Sequence, residues 1–423
     1  MSLDTKTPLI LVLAPRYPYP PTDGHQLRTY NLFKHFSDGY RFHFLTFGDD
    51  QVPNDREKAI HQLGPCFEDV IIVPESSLTR VSAGGKFSKI TNIAYPSMIS
   101  LGLPYYSTEM FDTVNRLVNS RQYDLVFFAG YTMFWYFYKT SSPVPYIVDI
   151  LDSPALAMKS YMRTQKGFKR KIESYLQYLW SRRYEKVHFP IAKNIIFISA
   201  VDFAFSRKRI GQSQAWVVPN GVDTEYFKPD RSVSVEPHSM LFTGVMDFEP
   251  NKQAAIYFMN EVLPLIVKQE PKATLTIVGR NPDNEIRALA RKHPNVKVTG
   301  LVEDIRRYFD EASVYVCPLL SGAGVKNKIL EAWAMEKPIV ATSISCEGLD
   351  AVNGENVIMA DTPQDFASAT LSLLSDAGRR KKLGVSGRKC AEGRYSWEAQ
   401  ALALDAIIKE LLWTHGKSNR TLG

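Results

Sequence analysis

Short runs of β-branched and aromatic residues, each closed by a breaker and followed by a helix-compatible stretch, constrain this chain more than any other feature. Leu9–Ala14, Phe42–Phe47, Val70–Val73, Leu125–Ala129, Tyr146–Ile150 and Ile195–Ser199 read as buried strands. Helical candidates such as Leu27–Phe36 lie between them. Strands that alternate with crossovers imply a parallel sheet covered on both faces. After a turn signal at Pro219-Asn220-Gly221-Val222-Asp223 comes a polar stretch, Lys228–Ser239, that reads as a linker, and then the pattern restarts. Met240–Thr243, Thr274–Val278, Val296–Thr299, Val314–Cys317 and Ile339–Ala341 form the second series. A helix is expected over Asn251–Gln269, kinked at Pro264, and Ser396–Trp413 reads as a terminal helix. The expectation is an α/β chain of two doubly wound parallel-sheet domains facing across a cleft. One takes residues 1–222 with a C-terminal helix over 396–415; the other takes 223–395. In such sheets ligands bind at the carboxyl ends of the strands.

Bulk properties remove several alternatives. The 423 residues are 45% hydrophobic, enough for two cores and too apolar for a disordered chain. Cys66, Cys317, Cys346 and Cys390 form no CxxC pair and fit a reducing compartment. Met1–Pro8 is polar and the apolar run after it is short, so no secretory signal is expected. No apolar stretch approaches the ~20 residues of a spanning helix. The expected location is the cytoplasm, with a peripheral place on the inner face of a membrane left open. Ten Lys or Arg fall between Lys159 and Lys193 against Glu173 and Glu185, whereas the whole chain carries a net +7. Basicity is therefore one patch.

The stretch richest in chemistry runs from Pro318 to Pro338. It follows a strand, passes through Gly322 and Gly324, and opens a helix. Glycines at such a turn let backbone N–H groups approach an anion, and the helix N-terminus adds partial positive charge. Lys328 and Glu331, three apart, share a helix face. That pair suits a nucleoside diphosphate, with Lys328 on phosphate and Glu331 on the ribose hydroxyls; a solvated Lys–Glu pair is the plainer reading.

Read as a whole, Gly322-Ala323-Gly324-Val325-Lys326-Asn327-Lys328-Ile329-Leu330-Glu331-Ala332 resembles the donor-binding signature of retaining glycosyltransferases of family four, which have the GT-B fold of two Rossmann-like domains. The form here is similar to a subgroup associated with exopolysaccharide assembly. The family pattern has a Glu, seven residues, then a second Glu followed by Ala; Glu331-Ala332 matches the second, and Ala323 stands at the first. Four further segments fall in the family's order: Pro219–Pro229, Phe242–Lys252, Leu275–Pro282 and Val298–Asp304. The resemblance implies that Gly244, Lys252 and Arg280 border the donor and that the nucleobase rests on Leu301 and Val302. Val245 stands where many relatives have Arg.

In the first half, Pro15–Arg28 resembles the family's first strand-to-helix loop, with Gly24 in the place of the glycine near the donor diphosphate. Gly24 and His25 are accordingly candidates beside Lys328 and Glu331 for the catalytic set, and Arg16 and Arg28 for anion or acceptor contacts. Gly130–Met133 lacks the His that relatives often carry after their fourth strand. Asp149 and Asp152 are spaced D-x-x-D and not as a compact metal pair, so no metal is expected, and no cofactor beyond the nucleotide-sugar substrate. The basic block contains Lys166, Lys169, Arg170 and Lys171 with Tyr161, Phe168, Tyr175 and Trp180 interleaved. It reads as a contact for an anionic membrane surface or lipid-linked acceptor, against a solvated helix face or, less in keeping, nucleic acid, which is not among the expected partners.

The implied activity is transfer of a sugar from a nucleotide diphosphate sugar to a lipid-linked or polysaccharide acceptor, retaining and metal-independent. The competing readings are a sugar-nucleotide epimerase or phosphorylase on the same fold, and a non-catalytic membrane-surface scaffold. A dinucleotide dehydrogenase is disfavoured, because no G-x-G-x-x-G follows either first strand.

Overall fold

A computed structural model describes residues 7–36, 39–48, 56–64, 67–80, 105–120, 122–137, 140, 142–165 and 167–421. Cys66 and Lys166 lie outside these. The chain divides into two compact units, Met1–Pro219 with Gln400–Gly423, and Asn220–Ala399.

The first unit holds β1 (Leu9–Ala14), β2 (Arg41–Gly48), β3 (Phe67–Pro74), the short antiparallel pair β4 (Thr79–Arg80) and β5 (Tyr105–Tyr106), then β6 (Leu125–Ala129), β7 (Tyr146–Leu151), β8 (Asn194–Phe197) and β9 (Gln214–Val217). Seven of them form one parallel sheet in the order β3-β2-β1-β6-β7-β8-β9. Every residue of β1 and β6 is buried, which is why both read as unbroken apolar runs and not as alternating strands. The strand expected to reach Ser199 stops at Phe197. Ser199 instead caps the helix Ala200–Ser206, its hydroxyl accepting from Asp202 N.

The second unit carries β10 (Ser239–Thr243), β11 (Thr274–Val278), β12 (Val296–Gly300), β13 (Val314–Cys317), β14 (Ile339–Ala341) and β15 (Ile358–Met359). They form a parallel sheet in the order β12-β11-β10-β13-β14-β15. Two expectations are corrected here. Pro264 does not simply kink a helix over Asn251–Gln269. The helix Glu249–Tyr257 runs through a π turn, Phe258–Val262, and resumes as Leu263–Gln269 with Pro264 in its first turn. The wide turn accommodates the missing N–H and the ring while Phe258, Met259 and Val262 stay buried. The stretch Lys228–Ser239 is not a linker between units but a strap on the second one. Asp230 N donates to Asp310 Oδ1 (3.1 Å) and Glu236 N to Glu311 O (2.7 Å).

The terminal helix Trp397–Thr421 belongs from Gln400 onward to the first unit, where Tyr40 donates its hydroxyl to Asp405 Oδ1 (2.7 Å). Among the described residues no helix is long and apolar enough to cross a membrane.

Candidate functional site

In the second sheet the order reverses between β10 and β13: β11 and β12 lie to one side, β14 and β15 to the other. Chain leaving the carboxyl ends of two such neighbours diverges and opens a crevice. The loops that follow β10 and β13 carry Gly244 and the Pro318–Lys326 segment.

Backbone crowding dictates the residues beside β10. A Cβ at Gly279 would fall 1.7 Å from Gly244 O, so position 279 admits only glycine. A Cβ at Gly244 would fall 2.7 Å from Asn251 Nδ2 and 2.9 Å from Lys328 Nζ. Lys328 Nζ therefore lies against the bare backbone of residue 244, donating to Asn251 Oδ1 at 2.5 Å and standing 4.9 Å from the Phe242 ring centroid. Burial pushes its ammonium pKa down, partly opposed by Cys317 and Glu331.

Lys328 and Glu331 sit on the helix Asn327–Ala334, whose N-terminus no side chain caps. The far end is held: Arg388 donates to Ala334 O, and also to Phe227 O (3.1 Å) and Thr224 O (3.3 Å). Trp333 Nε1 donates to Asn356 O at 2.8 Å. A rigidly seated helix thus presents free N–H groups, a cation and a carboxylate. No ion pair joins Glu331 to Lys328. The Glu331 carboxyl has no hydrogen-bond partner among the described residues, and burial raises its pKa from 4.5 to about 7 against the pull of Lys328.

Within the preceding loop, Gly324 has φ +65°, Val325 is buried, and buried Lys326 folds back to donate to Gly324 O (2.7 Å). A Cβ at Gly322 would come within 3.2 Å of Lys326 Cε, so this lysine supports the loop from beneath. Asn327 Oδ1 accepts from Asn220 Nδ2 (3.1 Å), and Ala323 is half-buried. Leu301 stands 80% exposed just past β12 while Val302 packs on the core. Arg280 is half-buried and its carbonyl accepts from Met246 N (2.9 Å). Lys252 is committed to Asp283 (2.5 Å) and Glu285 (2.7 Å), which raise its pKa.

The first sheet reverses between β1 and β6. The helix Gly24–Lys34 starts there, capped by Asp23 accepting from Gln26 N, with Gly24 exposed. His25 Nε2 donates to Ala129 O at 3.1 Å, at the carboxyl end of β6. A Cβ at Gly130 would fall 3.0 Å from that nitrogen, so the imidazole takes the space a side chain after β6 would need. Burial lowers its pKa, leaving a neutral ring whose Nδ1 carries the lone pair. Arg16 is exposed and pairs with Asp23 (3.4 Å). Arg28 is a correction: expected to contact an anion or acceptor, it is 1% exposed. Its guanidinium is spent on Asp149 (2.6 and 3.2 Å) and Pro219 O (3.0 Å). Lys169, Arg170 and Lys171 are exposed in the first turn of the helix Phe168–His188.

Two site residues carried no sequence signal. Asn251 holds Lys328 across 77 positions. Ser321 is buried with its Oγ unpartnered. Among the described residues no group of three His, Cys, Asp or Glu is placed to hold a metal ion.

Residues 237–376 match the family model of glycosyl transferases group 1, which places a glycosyltransferase domain in the second unit. A capsular polysaccharide biosynthesis glycosyltransferase of Staphylococcus aureus is 25% identical over 207 residues, 45% of this chain and 54% of that protein. A phosphatidyl-myo-inositol mannosyltransferase of Mycolicibacterium smegmatis is 28% identical over 172 residues, 39% of this chain and 44% of that protein. The chain thus spans about half the length of the curated relatives it matches. HepE of Anabaena, solved with UDP-glucose, superposes with a TM-score of 0.65 over 95% of this chain and 100% of that one at 13% identity. The fold is that of the GT-B glycosyltransferases.

Proposed function

We propose that this chain, with its group 1 glycosyltransferase domain, transfers a sugar from a nucleoside diphosphate sugar to a lipid-linked or polysaccharide acceptor at the cytoplasmic face of a membrane. The observation that carries the reading is the convergence at the β10/β13 reversal of one cation, one unpartnered carboxylate and one uncapped helix N-terminus. The diphosphate takes the N–H groups of Asn327 and Lys328 and the Lys328 ammonium, which balance charge as the sugar leaves. The ribose hydroxyls donate to Glu331, and exposed Leu301 offers a face to the base. With Ala323 where relatives carry a carboxylate, sugar contacts fall to the loop backbone.

Retention follows if the departing diphosphate deprotonates the acceptor on the face it leaves. That route needs positioning and charge stabilisation, and no protein nucleophile. The names of the relatives from Staphylococcus and Mycolicibacterium favour glycan and lipid acceptors.

The test is an assay for nucleoside diphosphate release, with and without membrane extract as acceptor, in EDTA and in Mg²⁺. Release should depend on acceptor and persist in EDTA, and the product anomer should match the donor. Loss in EDTA restored by Mg²⁺ or Mn²⁺ would contradict metal independence. An epimerised donor, or release that needs inorganic phosphate, would replace the reading with an epimerase or phosphorylase. Tight donor binding with no product would favour a scaffold.

A further inference from the structure

The helix Phe168–His188 faces the wrong way for an ordinary surface helix. Its buried residues are Ser174, Ser181, Tyr184 and Glu185. Glu185, fully buried, accepts from Ser153 Oγ (2.5 Å), Ala155 N (2.9 Å) and Arg209 Nε (2.6 Å). The inner face is held by this polar anchor, two small serines and Tyr184 in the core with Trp180 packed beside it, so few of the helix's apolar residues face inward, where a surface helix normally turns its apolar stripe.

The stripe points outward instead. Phe168, Ile172, Tyr175, Leu176 and Leu179 are 82%, 44%, 49%, 51% and 41% exposed. They occupy positions i, i+4, i+7, i+8 and i+11, a single face at 3.6 residues per turn. Where the apolar run ends, Arg182, Arg183 and Lys186 continue the same face, all exposed, and Lys169 and Lys171 flank its first turn. Glu173 is the one exposed acid on this helix. A contiguous exposed apolar stripe marks an interaction surface, and its charge selects the occupant. A second copy would bring an equally basic face against this one. A bilayer with anionic headgroups takes the apolar side chains at the headgroup–acyl boundary and the cations at its phosphates. The cations on the helix forbid insertion across the core.

We propose that the helix Phe168–His188 lies flat in the surface of an anionic bilayer, with Phe168, Ile172, Leu176 and Leu179 immersed and Lys169, Lys171, Arg182, Arg183 and Lys186 on lipid phosphates. The assignment rests on the first unit alone and stands apart from the donor chemistry of the second.

Cosedimentation of the full chain with vesicles tests it, using phosphatidylcholine alone and phosphatidylcholine with about 30% phosphatidylglycerol. The wild type should sediment with the anionic vesicles and much less with the neutral ones. Leu176→Ser with Leu179→Ser should lower partitioning into anionic vesicles at least about tenfold. Arg182→Glu with Arg183→Glu should lower it at least ~25-fold, near fivefold for each cation. Both variants should keep the wild-type melting temperature and the wild-type response to nucleoside diphosphate, so this result and the donor reading fail separately. Serine variants that partition like the wild type would show that nothing apolar inserts and overturn the proposal. So would a wild-type chain that ignores anionic vesicles, or a wild-type dimer in light scattering that the serine pair dissolves.

Discussion

Glu331 is a carboxyl that the fold buries without giving it a hydrogen-bond partner among the described residues. Its folded pKa of about 7 stands above the unfolded value, so the folded state prefers the neutral acid. That preference stabilises the protein fully below the unfolded pKa of about 4.5 and is lost as pH rises from there through about 7. Glu331→Gln keeps the neutral shape without the ionisation. Ligand-free Glu331→Gln should therefore melt within about a degree of the wild type at pH 4 and measurably above it at pH 8, each ~1 kcal/mol shifting Tm by ~2–4 °C. An equal difference at both pH values would show that the carboxyl ionises freely. At this scale the sequence conveyed that Lys328 and Glu331 share one helix, because their spacing of three is local. It misread Arg28, whose partner Asp149 lies 121 positions away, and was silent on Asn251, whose role depends on a distant lysine.

The element least visible in the sequence is the helix Ala377–Arg394, GRRKKLGVSGRKCAEGR after its first Ala, with no apolar stripe. Beside the buried Leu383, two glycines set its closest approaches to the helix Asn327–Ala334 and the turn after it. A Cβ at Gly384 would fall 2.0 Å from Glu336 O, and one at Gly387 would fall 2.3 Å from Trp333 Cδ1. Gly393, in the same helix, has nothing within 4 Å. The two positions should thus respond oppositely to one substitution. Gly384→Ala forces backbone apart and should cost ~1–3 kcal/mol. Gly393→Ala gains helix propensity at no steric cost and should stabilise by up to ~1 kcal/mol. Denaturant midpoints for both variants check this; matching signs would mean that the helix is not seated through Gly384. The π turn at Phe258–Val262 was hidden for a related reason: proline announces a disturbance, and packing decides its form.

At the scale of the molecule, the alternation of strands and crossovers conveyed both parallel sheets, and nearly every expected strand lies within a residue or two of an observed one. Strand order was not legible, because pairing joins distant segments. The order matters: the two reversals, β1/β6 and β10/β13, are where His25 meets Ala129 and where Lys328 meets Gly244. The central claim, that the second reversal binds a nucleoside diphosphate through Lys328, is tested most directly by melting the full chain with UDP, GDP, dTDP and ADP. At a hundred times its Kd, a ligand specific for the folded state adds ~2.7 kcal/mol. At least one of the four should raise Tm by several degrees, and Lys328→Ala should abolish that rise without lowering the ligand-free Tm, since burial already disfavours this ammonium. No shift from any of the four, or a full shift retained by Lys328→Ala, would contradict the account.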